Sequence, residues 1–150
     1  MSTKTTSAVG VPRSTWVLRV TASLGLLSTL AQGLLAGLFV TGDVDLLAVH
    51  SAVGSTISLI ALIQLAAALV ERRARKKRDE PAHWRLTVLS GLFLALVSTQ
   101  IGLGMARVVA PHIFLGVTAA ALSMFVLFVV LTDSGPAPTR KNTKTKETVS

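Results

Sequence analysis

Four long apolar runs constrain this chain more than anything else in it. Residues 16–40, 46–70, 86–106 and 108–131 are almost uninterrupted by charge. Each meets or exceeds the roughly 20 residues a helix needs to cross about 30 Å of hydrocarbon. The strands of a membrane barrel would instead alternate apolar and polar residues over about ten positions, and these runs do not alternate. The expected fold is therefore all-α: an integral membrane four-helix bundle. Composition agrees, since 51% hydrophobic residues and a mean hydropathy of +0.64 exceed what an ordinary soluble domain carries. The first run is too long for the apolar core of a secretory signal and is read as part of the mature protein, with Arg19 snorkelling to the interface.

The formal charge of +8 takes its meaning from placement. Fourteen of the fifteen Lys and Arg lie up to Arg19, in the 71–85 connection or in the C-terminal tail; Arg107 alone lies on the other side. By the positive-inside rule those three segments are cytoplasmic, giving a multi-pass protein of the plasma membrane with both termini inside. The basic run from Arg72 to Arg78 is expected to set topology, with anionic lipid a further possible contact. The same placement argues against nucleic-acid binding. With no cysteine, thiolate metal sites and Cys-x-x-Cys-His haem attachment are excluded. Residues 1–14 and 133–150 are rich in Ser, Thr, Lys and Pro and are expected to be disordered, leaving 15–132 as the transmembrane domain.

An internal repeat divides that domain into two tandem helical hairpins. The second run contains His50-Ser51-Ala52-Val53-Gly54-Ser55-Thr56 and the fourth His112-Ile113-Phe114-Leu115-Gly116-Val117-Thr118, both His-x-x-x-Gly-x-Thr. The run before each carries a glutamine after a Ser-Thr pair, Gln32 and Gln100. Two helices per repeat make both copies enter the bilayer in the same sense. His50 and His112 then sit about four residues, or roughly 6 Å, inside the outer ends of their helices. A pseudo-twofold axis along the membrane normal sets them across the bundle from one another, as two axial ligands of one metal would be. Each heads a small or apolar stripe: His50, Gly54, Ile57, Ala61 and His112, Gly116, Ala119, Ser123. Glycine one turn below each histidine lets a flat macrocycle approach the backbone. Gln32 and Gln100 lie about a turn deeper and could donate to a ligand edge. On helical spacing Gln100, Gly104 and Arg107 share a face, which would bring Arg107 towards haem propionates. Each of these residues also has a plain packing use: membrane His and Gln hydrogen-bond neighbouring helices, and small residues let helices approach. His83, beside Trp84 in the cytoplasmic connection, is read as structural.

At Gln32, Gln100, His50 and His112 the sequence resembles one four-helix half of the haem A synthase family, over about residues 16–131, and also small uncharacterised bacterial four-helix membrane proteins with the same Gln/His arrangement. The resemblance implies a haem b held by His50 and His112. The synthase pattern has a glutamate about one turn before its second-helix histidine, where this chain has Leu46-Leu47-Ala48-Val49. The inheritance it implies is accordingly a cytochrome-like role, in electron transfer with a quinone or membrane redox partner or in haem handling, rather than oxidation of a haem side chain. A cofactor-free membrane interaction or assembly protein is the competing expectation. Small-molecule transport ranks below both, because no span has Asp or Glu in its middle to couple a proton.

Overall fold

The computed structural model describes residues 13–82 and 84–133. It contains four helices, α1 (Arg13–Val40), α2 (Leu46–Lys77), α3 (Arg85–Met105) and α4 (Val109–Asp133). All four are long and apolar enough to cross a membrane. The expected disordered segments fall outside the described residues except for their inner edges, Arg13, Ser14 and Asp133, which are helical, and His83 lies outside them too.

α2 runs seven residues beyond its apolar stretch, through a segment the sequence reading placed in a connection. Hydropathy ends at Glu71, but helical propensity does not: Glu, Arg and Lys are good helix formers. Arg75, Lys76 and Lys77 in the last turn also complement the helix dipole. Beyond them Arg78 bonds the Glu80 carboxylate at 2.9 and 3.0 Å, and this guanidinium holds the Glu80 carboxyl below its usual range.

Three helices end in the same way. At each end one residue takes positive φ: Gly42 (119°), Asp79 (52°) and Arg107 (58°). Its N–H bonds the carbonyl three residues back, and the next N–H reaches five back, as in Asp43 to Leu38, Glu80 to Arg75 and Val108 to Leu103. This is the Schellman arrangement, which satisfies carbonyls the helix leaves open and turns the chain back sharply. Glycine suits the position at 42; at 79 and 107 a side chain is carried there against its steric preference.

Tight turns make the helices antiparallel neighbours in a ring, α1 on α2, α2 on α3, α3 on α4 and α4 on α1, so that α2 and α4 stand on a diagonal. One end carries the α2–α3 connection and the described basic residues other than Arg107 (the basic end); the other carries the two short turns.

Packing is unequal along the ring axis. The buried residues run from the basic end to a little past mid-helix, 15–29 on α1, 57–71 on α2, 90–97 on α3 and 119–130 on α4, and stop short of the other end. Leu18, Ala22, Ala67, Ala68, Val126 and Val130 form one apolar cluster, and Ile57, Ala61, Phe93, Val97 and Ala119 form the next towards the middle. Alanine supplies three of the six and two of the five, which suits helices that in lipid gain from close van der Waals contact rather than from hydrophobic transfer. Phe93 lies over Gly25, where an added Cβ would meet its ring at an ordinary 3.5 Å. Interhelical hydrogen bonds add to this: Thr21 donates to the Gln64 amide oxygen, and the hydroxyls of Thr29 and Ser123 are 3.0 Å apart. At the basic end Ser14 donates to Glu71, which also accepts from Arg75 Nε at 2.9 Å, while Arg75 reaches the Asp133 carbonyl at 3.3 Å. One carboxylate and one guanidinium thus tie α1, α2 and α4 together.

Outside, the bundle is apolar. Leu27, Leu34, Val40, Phe114, Val117, Met124 and Phe128 are each more than half exposed. Such a surface needs an apolar surround, and with four spanning helices this is the architecture of a multi-pass membrane protein.

Candidate functional site

Towards the short turns, beyond Thr29, Ile57, Val97 and Ala119, no described residue is buried, and there the two histidines meet. His50 near the start of α2 and His112 near the start of α4 bring their rings to a centroid separation of 6.1 Å, inclined at 63°. The helical stripes account for this convergence. Ile57 and Ala61 below His50, and Ala119 and Ser123 below His112, are all buried, so both stripes face the bundle axis. Because α2 and α4 are diagonal partners, side chains heading those stripes point at one another.

Each glycine below a histidine faces a glutamine amide from the preceding helix. Gln32 Nε2 lies 3.0 Å from where a Cβ on Gly54 would stand, and Gln100 Nε2 lies 3.4 Å from that of Gly116. The sequence expectation reserved these glycines for a macrocycle; here glutamine amides rest against them. A long neutral side chain in an apolar bundle seeks the nearest exposed backbone, and glycine exposes it.

Around the histidines the two hairpins differ. Gln100 donates from Nε2 to the His112 carbonyl at 2.6 Å, and His112 Nδ1 is 3.0 Å from the Gln100 carbonyl. A carbonyl oxygen only accepts, so Nδ1 carries the proton, and in the neutral ring Nε2 keeps its lone pair. Gly104 makes this possible, since a Cβ there would come within 3.3 Å of the ring at Cε1. In the first hairpin the position four residues after the glutamine is Ala36. There, among the described residues, His50 Nδ1 and Gln32 Oε1 are buried without a hydrogen-bond partner. Gly104 was visible in the sequence only as a spacer between Gln100 and Arg107; its contact with His112 depends on how α3 and α4 align.

Arg107 departs from expectation. α3 ends at Met105, and Arg107 sits exposed in the left-handed turn beyond it, so it does not continue the face of Gln100 and Gly104. The Schellman turn breaks the helical phase one residue too early. The residue nevertheless stays at the short-turn end, on the same side as the histidines.

Histidine is a metal-ligating residue type, and these two rings stand at about the separation a shared metal would require. Metal–imidazole bonds of about 2.0–2.1 Å put two such nitrogens about 4 Å apart, with each ring centre roughly 1.1 Å farther out, hence a centroid separation near 6 Å. The observed 6.1 Å fits. Among the described residues no group of three or more His, Cys, Asp or Glu converges. A metal here would therefore draw its remaining ligands from something other than side chains of those types, as haem iron does from its macrocycle. The chain matches no family model, no curated protein and no solved structure.

Proposed function

We propose that this chain is a membrane cytochrome-like protein in which His50 and His112 would together hold one haem b, serving electron transfer or haem handling. The observation that carries the reading is the approach of two imidazoles from diagonal helices to 6.1 Å, the spacing of a shared metal. Glycine stands one turn below each histidine, and a bound macrocycle would displace the Gln32 and Gln100 amides that rest there. When bound, haem supplies reversible one-electron chemistry. The chain's own part is to hold and orient: Gln100 fixes the His112 tautomer, Gln32 and Gln100 lie one turn below the histidines, and Arg107 offers a cation to propionates at the membrane face. That arginine bears the cost of a left-handed backbone, a cost often retained where a side chain has a task. The matched Gln32–Gly54 and Gln100–Gly116 contacts support two tandem hairpin repeats. The basic end faces the cytoplasm by the positive-inside rule, placing the haem near the outer face, within reach of a quinone or a membrane redox partner.

Purified from a haem-replete host, the protein is expected to show a Soret band and reduced-state α and β bands. A colourless protein after haem supply in vivo and in vitro overturns the reading. One observation favours a second: the reciprocal Gln100–His112 hydrogen bonds already clip α3 to α4 with no cofactor, as a membrane interaction or assembly protein would need. That reading requires colourless wild-type protein whose partner binding survives His50→Ala.

A further inference from the structure

The two histidines differ in what stands behind them. His112 lies against α3, where Gly104 lacks a Cβ, and its Nδ1 reaches the Gln100 carbonyl at 3.0 Å. The return bond from Gln100 Nε2 to the His112 carbonyl, 2.6 Å, holds side chain and backbone of His112 to one residue. His50 has no counterpart. Four residues after its glutamine the first hairpin has Ala36 in place of a glycine, and His50 Nδ1 is buried without a hydrogen-bond partner among the described residues. A hydrogen bond to the remote nitrogen raises imidazole basicity and fixes its aim, and losing one typically costs 10- to 100-fold in metal affinity.

Resting on the bis-histidine reading above, we infer that His112 is the anchored ligand and His50 the labile one, so that the haem site accepts a small neutral donor of the carbon monoxide or imidazole class in place of His50. The exchange is a ligand substitution without redox change: the bond to the His50 nitrogen is lost and a bond to the incoming donor atom is made. His50 leaves with its lone pair and the donor brings its own.

The test uses the full chain in lipid nanodiscs with equal haem supply. His50→Ala is expected to retain at least half the wild-type haem, to turn from a low-spin to a high-spin spectrum, and to return to low spin on adding imidazole. His112→Ala is expected to lose haem affinity at least 10-fold more than His50→Ala does. Reduced wild-type protein is expected to bind carbon monoxide and, once it is removed, to recover its starting spectrum. Coloured wild-type protein in which the two variants lose haem equally, or His50→Ala loses more, overturns the inequality and leaves the bis-histidine reading standing. Colourless wild-type protein overturns both. Folding of the variants is controlled by circular dichroism, and the anchoring is tested without haem or substitution by ¹⁵N NMR of the imidazoles. His112 is expected as the single Nδ1–H tautomer and His50 as a tautomer mixture; two mixtures, or two single tautomers, overturn the assignment.

Discussion

At the scale of single residues, this structure turns on where a Cβ is missing. Gly104 and Gly54 receive an imidazole ring and a glutamine amide respectively, at distances where an added methyl forces a shift. Gly104→Ala is expected to push the His112 ring off α3, breaking the Nδ1 bond to Gln100 and lowering stability by about 1 kcal/mol, the net worth of one such bond. Unfolding of the purified protein in a denaturing detergent series reads the loss, and unchanged stability with the Nδ1–H tautomer retained would count against the contact. Arg107 predicts the opposite sign. Its φ of 58° suits glycine better than arginine, so Arg107→Gly is expected to stabilise the bundle by about 1 kcal/mol, relief of strain being partly offset by the freedom glycine adds to the unfolded chain. If Arg107 meets propionates, the same variant binds haem more weakly while unfolding later. A variant that gains stability and keeps full haem affinity removes Arg107 from the site. Neither glycine contact nor the Arg107 turn could be read from one-dimensional spacing, which says which residues share a helix but not how two helices align or where a terminal turn breaks phase.

Among the helices, the ends carry the specificity. The number and order of the spans were legible because hydropathy in lipid is dictated by the backbone's need to satisfy itself, and the inward direction of both histidines followed from the 3.6-residue period. What hydropathy could not mark is the last two turns of α2, where Glu71 appeared to begin a solvated loop. In the fold Glu71 is 5% exposed and accepts from Ser14 of α1 and Arg75 of its own helix, with Arg78 at 3.8 Å. Such a carboxylate is bound into the bundle rather than screened by solvent. Glu71→Ala is expected to cost about 3 kcal/mol, since it leaves Arg75 without its charge partner, whereas Ser14→Ala removes one hydrogen bond and is expected to cost about 1–2 kcal/mol. The two losses should be less than additive in a double-mutant cycle, because they share the carboxylate. Additive losses would mean that Ser14 and Glu71 do not interact.

Taken whole, the molecule is a bundle with two unlike halves, and the asymmetry sets what each end can do. The half nearer the basic end is closed by two apolar clusters, the Thr21–Gln64 and Thr29–Ser123 links and the Glu71 clasp. The other half holds its helices by turns and by the Gln100–His112 pair, with small residues between. The histidines lie at the end without buried residues, opposite the cations. Orientation is therefore part of the functional proposal and can be tested apart from haem. The chain has no cysteine, so one introduced thiol reports alone. In intact cells a membrane-impermeant maleimide is expected to label Asp43→Cys in the α1–α2 turn and to leave Lys77→Cys at the end of α2 unlabelled until the membrane is opened. The reverse pattern would put the histidines near the cytoplasmic face, so that any redox partner would have to be sought there, while the bundle and its pair of imidazoles would stand as described.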